Sequence, residues 1–169
     1  GITLSPELFP AKDLLDEVIK SGKAYVENST IAFKTDIAKD LPLIYGDKGR
    51  LQQVILNLLN NAVKFTDSGS VTLIASLDGD KFIVRIKDTG MGLLPEEIHQ
   101  VFGEFWQSED IHGTGIGTGL GLAISKYLIE AHDGKIWLES EKNVGTTVSF
   151  TIPIARETDS NNKQVANSK

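Results

Sequence analysis

The sequence predicts an α/β protein, a two-layer sandwich whose mixed, mostly antiparallel sheet is covered on one face by helices. Three observations carry this. Helix-like and strand-like runs alternate along the chain. Asp78-Gly79-Asp80 separates two strand runs as a hairpin signal, and a further strand pair closes the body, so much of the pairing is antiparallel. From Asp47 to Thr66 a broad apolar face recurs at the helical period, as on a helix laid against a core. A doubly wound parallel sheet does not fit these hairpins.

In chain order, residues 1–9 (GITLSPELF) read as a lead-in to a body spanning 10–154. Leu14, Leu15, Val18, Ile19, Tyr25 and Val26 follow a helical period, broken at the weak point Ser21-Gly22. Ile31 to Ile37 alternates as a strand, and Leu41 to Gly46 leads into the long helix. After the turn Asp67-Ser68-Gly69 come the strands Ser70 to Leu77 and Lys81 to Lys87. Pro95 to Phe102 begins as a helix, with Pro in its first turn and Glu96 and Glu97 at its positive end. A glycine-rich run, 103–119, feeds a helix from about Leu120 to Ala131, and strands near Lys135 to Ser140 and Thr146 to Ile152 follow. Residues 155–169 are almost devoid of apolar side chains and are expected to be a disordered polar tail or linker.

Composition narrows the function. The 169 residues, 40% hydrophobic and 24% charged, suit one soluble domain with a real core. With 17 basic and 23 acidic residues the net charge is −6, and no Lys/Arg-rich run is present, which argues against a nucleic-acid surface. An acidic chain that holds a polyanion does so through a local site and a metal. The absence of cysteine removes disulfide, thiol and zinc-thiolate chemistry. No apolar run approaches the ~20 residues of a membrane span, so a cytoplasmic setting is expected, with a parent protein free to be membrane-anchored.

On the long helix Leu51, Val54, Ile55, Leu58, Leu59, Ala62 and Val63 form the apolar face, at about 100° per residue. Gln53, Asn57, Asn61 and Lys64 fall within roughly 80° of arc on another side. Such a stripe is often only a solvated face. It also has a chemical use: amide oxygens are hard ligands suited to Mg²⁺, and a lysine one turn on pairs with phosphate.

Three glycine clusters supply the rest of a site. Asp88-Thr89-Gly90-Met91-Gly92 follows a strand; it is an ordinary turn, or a place where backbone approaches a flat ring while Asp88 accepts from an exocyclic amine. Gly113, Gly115, Gly117, Gly119 and Gly121 occupy alternate positions of HGTGIGTGLGL, a costly pattern that leads into a helix N-terminus, where free N–H groups favour phosphate. Gly145-Thr146-Thr147 opens the last strand. There is no G-x-x-x-x-G-K-[ST] and no G-x-G-x-x-G, so neither a P-loop nor a dinucleotide or protein-kinase loop is present.

The order Asn57…Asn61, Asp88-x-Gly90-x-Gly92, Phe102-x-x-Phe105, Gly117-x-Gly119-x-Gly121 and Gly145-Thr146 resembles the catalytic and ATP-binding domain of sensor histidine kinases. That domain belongs to the GHKL superfamily, with the Bergerat ATP-binding fold. The resemblance covers about residues 10–154 and is closest in NLLNNAVKFT and GTGLGLAISKYLIEAHDGKI. It implies ATP held between helices under a flexible lid. Asn61 would be the Mg²⁺ ligand, Asn57 a second amide on the phosphate side, and Lys64 a phosphate contact, these three forming the catalytic set. Asp88 would read the adenine amine, Gly90 and Gly92 would shape the base pocket, and Thr147 would bridge to the base through water. Phe102 and Phe105 would hinge the lid, and Gly117, Gly119, Leu120 and Gly121 would give it motion and phosphate-facing amides.

Two departures qualify the resemblance. Many family members carry a basic residue in the lid, yet residues 103–118 contain neither Lys nor Arg, and Gln107 and His112 are the nearest substitutes. The phosphoacceptor hairpin is also missing: of three histidines, His99 precedes the lid, His112 lies in it, and His132 ends a helix. The expectation is therefore a monomeric catalytic fragment, inactive or nearly so alone. Its partners would be a separate dimerisation and phosphoacceptor hairpin and, through the parent, a response-regulator receiver domain. No nucleic acid or membrane contact is expected. The alternatives are a GHKL ATPase of gyrase or mismatch-repair type and a nucleotide-sensing module without chemistry. Those ATPases place a carboxylate where this chain has Asn57, an amide that accepts no proton at neutral pH, which favours transfer over hydrolysis.

Overall fold

The computed structural model describes residues 3–103 and 119–155. Strand β1 (Glu7–Pro10) leads into helix α1 (Ala11–Val26), followed by strands β2 (Ile31–Ile37) and β3 (Leu43–Gly46) and helix α2 (Lys48–Lys64). Strands β4 (Gly69–Asp78) and β5 (Lys81–Asp88), the short helix α3 (Pro95–Ile98), helix α4 (Gly119–Ala131) and strands β6 (Lys135–Glu141) and β7 (Gly145–Pro153) complete the order.

The main sheet has five strands in the order β2-β4-β5-β7-β6. The β2–β4 pair is parallel and every other neighbour is antiparallel, the mixed sheet predicted from the hairpins. Along each strand alternate residues face the helices: Val71, Leu73 and Ala75 on β4, Phe82, Val84 and Ile86 on β5, and Phe150 and Ile152 on β7 are buried. Helix α2 answers with Leu51, Val54, Ile55, Leu58, Leu59 and Ala62, all buried, and packs between α1 and α4. Val63, expected on this face, is half-buried against the same core.

Helix α2 is capped by Asp47. Asp47 Oδ1 accepts from the Arg50 N–H at 3.1 Å, and Oδ2 accepts from the Ser5 N–H at 2.8 Å, so one carboxylate ends the helix and ties down the chain start. Asp47 also donates its own N–H to His132 Nε2 at 3.0 Å, and His132 Nδ1 meets the Leu128 carbonyl at 2.7 Å. The ring is therefore a neutral imidazole that donates from Nδ1 and accepts at Nε2.

One local expectation is corrected. Helix α1 runs unbroken through Ser21-Gly22. Gly22 is buried, and a Cβ there would sit 2.5 Å from the Phe33 ring, so this glycine serves close helix–strand packing and is no break. The lead-in also contains structure: β1 pairs antiparallel with β3 and brings Phe9 into the core at 5% exposure. Ala155 donates its N–H to the Leu43 carbonyl at 3.0 Å, extending this ribbon with the end of the last strand.

Candidate functional site

The C-terminal end of β5 places Asp88 on the helix-facing side of the sheet, opposite Val71 on β4 and Thr146 on β7. Its Oδ1 accepts from the Gly90 N–H at 2.9 Å and the Thr146 N–H at 3.2 Å. At 6% exposure, burial raises its pKa from an ordinary 3.8 to about 6, against the pull of those two hydrogen bonds. Both lone-pair directions of Oδ1 are used, which leaves Oδ2 as the polar group facing the adjoining pocket.

That pocket has a volume of about 480 Å³ including its open mouth. Asn61, Phe65, Asp88, Met91, Leu122 and Thr146 are among its walls, and Ile86, Leu138 and Val148 floor it with apolar side chains. A largely apolar pocket with one carboxylate suits a heteroaromatic ring that carries a hydrogen-bond donor.

The segment after Asp88 crosses the end of α2. Met91 donates its N–H to the Phe65 carbonyl at 3.2 Å, and a Cβ on Gly90 would lie 2.9 Å from Thr66 Oγ1 and closer still to that carbonyl. Gly92 has φ +68 and backs onto the Glu141 carbonyl, so any side chain there is strained and blocked. The β6–β7 turn grips the segment from the other side: the Asn143 N–H donates to the Met91 carbonyl at 2.7 Å and the Leu93 N–H to Ser140 Oγ at 2.8 Å. Gly90 and Gly92 are thus where close backbone packing demands glycine.

Of the predicted amide stripe, Asn61 lines the pocket. Asn57 lies one turn earlier on the same side of α2, half-buried, and Lys64 is exposed with no ion pair to another described residue. Gln53 accepts from Arg50 Nη1 at 3.1 Å. Gly119, Leu120 and Gly121 form the first turn of α4, and Leu122 follows them into the pocket wall. Phe102 packs against the hydrophobic core, with Lys126 Nζ of α4 6.0 Å from its ring centroid. Phe105 and Gly117, with Gln107 and His112, lie outside the described residues.

Thr147 is not brought to the pocket. Thr146 and Val148 line it, and Thr147, between them, is directed to the opposite face of the sheet. The correction is one residue of strand register, which moves a side chain to the other face. Sequence reasoning also missed Ser140 and Met91. The alternation Leu138-x-Ser140 and Thr146-x-Val148 was the available signal for their facing, but not for their partners.

The site can be compared with known proteins. Residues 46–156 match the family described as histidine kinase-, DNA gyrase B- and HSP90-like ATPase. Sensor histidine kinase RcsC of Escherichia coli (strain K12) is 36% identical over 159 residues, covering 90% of this chain and 16% of RcsC. The chain therefore spans about a sixth of that relative's length (16%). Full-length ShkA, solved in complex with AMPPNP, superposes with a TM-score of 0.80 at 34% identity over 91% of this chain and 32% of ShkA. The catalytic domain of histidine kinase ThkA superposes at 0.77 and 28% identity, covering 89% of this chain and 96% of that domain. No helix among the described residues is long and apolar enough to cross a membrane. Motif order, sheet topology and these matches agree: the chain belongs to the histidine kinase-, DNA gyrase B- and HSP90-like ATPase family, the GHKL superfamily, on its sensor histidine kinase branch.

Proposed function

We propose that this chain is the ATP-binding catalytic domain of a two-component sensor histidine kinase. It binds Mg-ATP and donates the γ-phosphate to a histidine on a separate helical hairpin, from which a receiver domain would draw it. The carrying observation is the buried Asp88 in a largely apolar pocket, which supports a reading in which Oδ2 would accept from the adenine amine while Ile86, Leu138 and Val148 would lie against the ring. Asn57 and Asn61 face the phosphate side, Lys64 contacts the phosphates, and the glycine-led start of α4 offers backbone N–H groups to them.

The donor set fits magnesium. Among the described residues no three His, Cys, Asp or Glu side chains cluster as a metal cage. Asn61 at the pocket wall instead presents one amide oxygen, as suits an ion that keeps waters and takes phosphate oxygens as its other ligands. When bound, magnesium would neutralise charge on the phosphate oxygens. Asn57 supplies no base to activate water, so the domain holds ATP for transfer.

Calorimetric titration of ATP with and without Mg²⁺ tests this on wild type, Asp88→Asn and Asn61→Asp. Magnesium-sensitive binding that Asp88→Asn weakens and Asn61→Asp alters is expected, followed by phosphohistidine formation when the hairpin is added. Absence of binding in every form would sink the assignment. Tight binding with no transfer to the hairpin would leave a nucleotide sensor.

A further inference from the structure

One hydroxyl beside the pocket has its proton direction fixed by its neighbours. Ser140 Oγ lies 2.8 Å from the Leu93 N, 3.1 Å from the Gly145 carbonyl and 2.7 Å from Thr146 Oγ1. The Leu93 N–H can only donate and the Gly145 carbonyl can only accept. A serine has one hydrogen, so for all three contacts to be hydrogen bonds it must go to Gly145. Ser140 then accepts from Leu93 and from the hydroxyl of Thr146. Thr146 has spent its proton on Ser140 and keeps only lone pairs for the pocket that it lines.

The second polar group there has the same character. Thr146 also donates its backbone N–H to Asp88 Oδ1, alongside Gly90, so the remaining Asp88 oxygen has no hydrogen-bond donor among the described residues. Thr146 and Asp88, neighbours across the β5–β7 ladder, thus both present acceptors in a largely apolar pocket. A 6-aminopurine presents two N–H hydrogens and can satisfy both; a 6-oxopurine presents an acceptor to acceptors. Sites built to take a donor reject analogues without one strongly, because buried polar groups are left unpaired.

We propose that Ser140 is a positioning residue for base selection: by taking the proton of Thr146 it leaves Thr146, like Asp88, an acceptor toward the base and tunes the pocket to 6-amino over 6-oxo purine nucleotides. This rests on the ATP reading above. Ser140 touches no nucleotide itself. It acts through Thr146 and, through Leu93, through the segment that forms the pocket wall.

The test compares calorimetric affinities for ATP and ITP on wild type, Ser140→Ala, Thr146→Val and Thr146→Ser. Wild type should favour ATP by at least about 100-fold. In Ser140→Ala the Thr146 hydroxyl is free to donate into the pocket, so ATP weakens, ITP strengthens and the ratio falls about tenfold. Thr146→Val, which has no hydroxyl, should also lower the ratio, and Thr146→Ser should keep it. A merely structural Ser140 would weaken both nucleotides equally. If Ser140→Ala does not fold, an unchanged ratio in Thr146→Val still overturns the proposal. A wild type that binds neither nucleotide overturns the ATP reading too, whereas ATP binding with unchanged ratios in both variants overturns this proposal alone.

Discussion

The Thr146 N–H and the Asp88 carboxylate meet at 3.2 Å across the β5–β7 ladder. The contact joins an ionisable group to the backbone of a strand, so the carboxylate is oriented by elements that the core holds in place. Position is thereby bought with desolvation.

Asp88→Asn should keep the fold and lose the ligand. An asparagine carbonyl can accept the same two N–H bonds, but its amide then points donors at a donor. ATP affinity should fall about 100-fold or more by calorimetry, while the ligand-free domain melts at or above the wild-type temperature, because a buried charge is removed.

Asp88 also links stability to pH. Its folded pKa, about 6, lies above the ordinary 3.8, so the folded state holds the proton longer than the unfolded one. The associated stability is present below pH ~4 and is lost as pH rises through ~6. Denaturant unfolding of wild type should show a decline of about 1–2 kcal/mol between pH 5 and 7.5 relative to Asp88→Asn. ATP affinity should move the other way, rising over the same interval as the acceptor ionises.

Gly92→Ala should damage the base pocket. With φ +68 and the Glu141 carbonyl behind it, alanine has neither the conformation nor the space. A loss of more than about 1 kcal/mol in chemical denaturation is expected, together with weaker ATP binding.

Lys64→Ala separates phosphate from base. The side chain is exposed at the end of α2, so stability should change little. ATP should bind about tenfold more weakly, with adenosine affinity unchanged. Equal losses for both ligands would remove Lys64 from the phosphate side.

His132→Ala should cost about 1–3 kcal/mol, because the half-buried Asp47 N–H loses its acceptor at the helix start. Both ring nitrogens are engaged within the fold, and this residue should remain unlabelled when the domain is incubated with ATP.

What could be read from the chain depended on period and length. Helix α2 was legible because seven apolar positions from Leu51 to Val63 repeat one face over more than three turns. The β4–β5 hairpin was legible from Asp78-Gly79-Asp80. Thr146 was mistaken for Thr147 because two adjacent threonines give no local signal of which faces inward; that depends on pairing with Asp88 across the sheet. The β1–β3 ribbon was missed since each strand has only four residues, too few to show alternation. Gly22 looked like a break because the Phe33 ring that fills its space belongs to the following strand, and the packing of that strand on the helix has no local signal. The Ser140 network is tertiary throughout, and no spacing announces it.

Helix α4 links the cap of α2 to the pocket. At one end His132 fastens it to that cap; toward the other, Leu122, at 5% exposure, belongs both to the core and to the pocket wall. The side chain that seats the helix on the core also shapes the cavity, so packing and ligand fit are set together at that position.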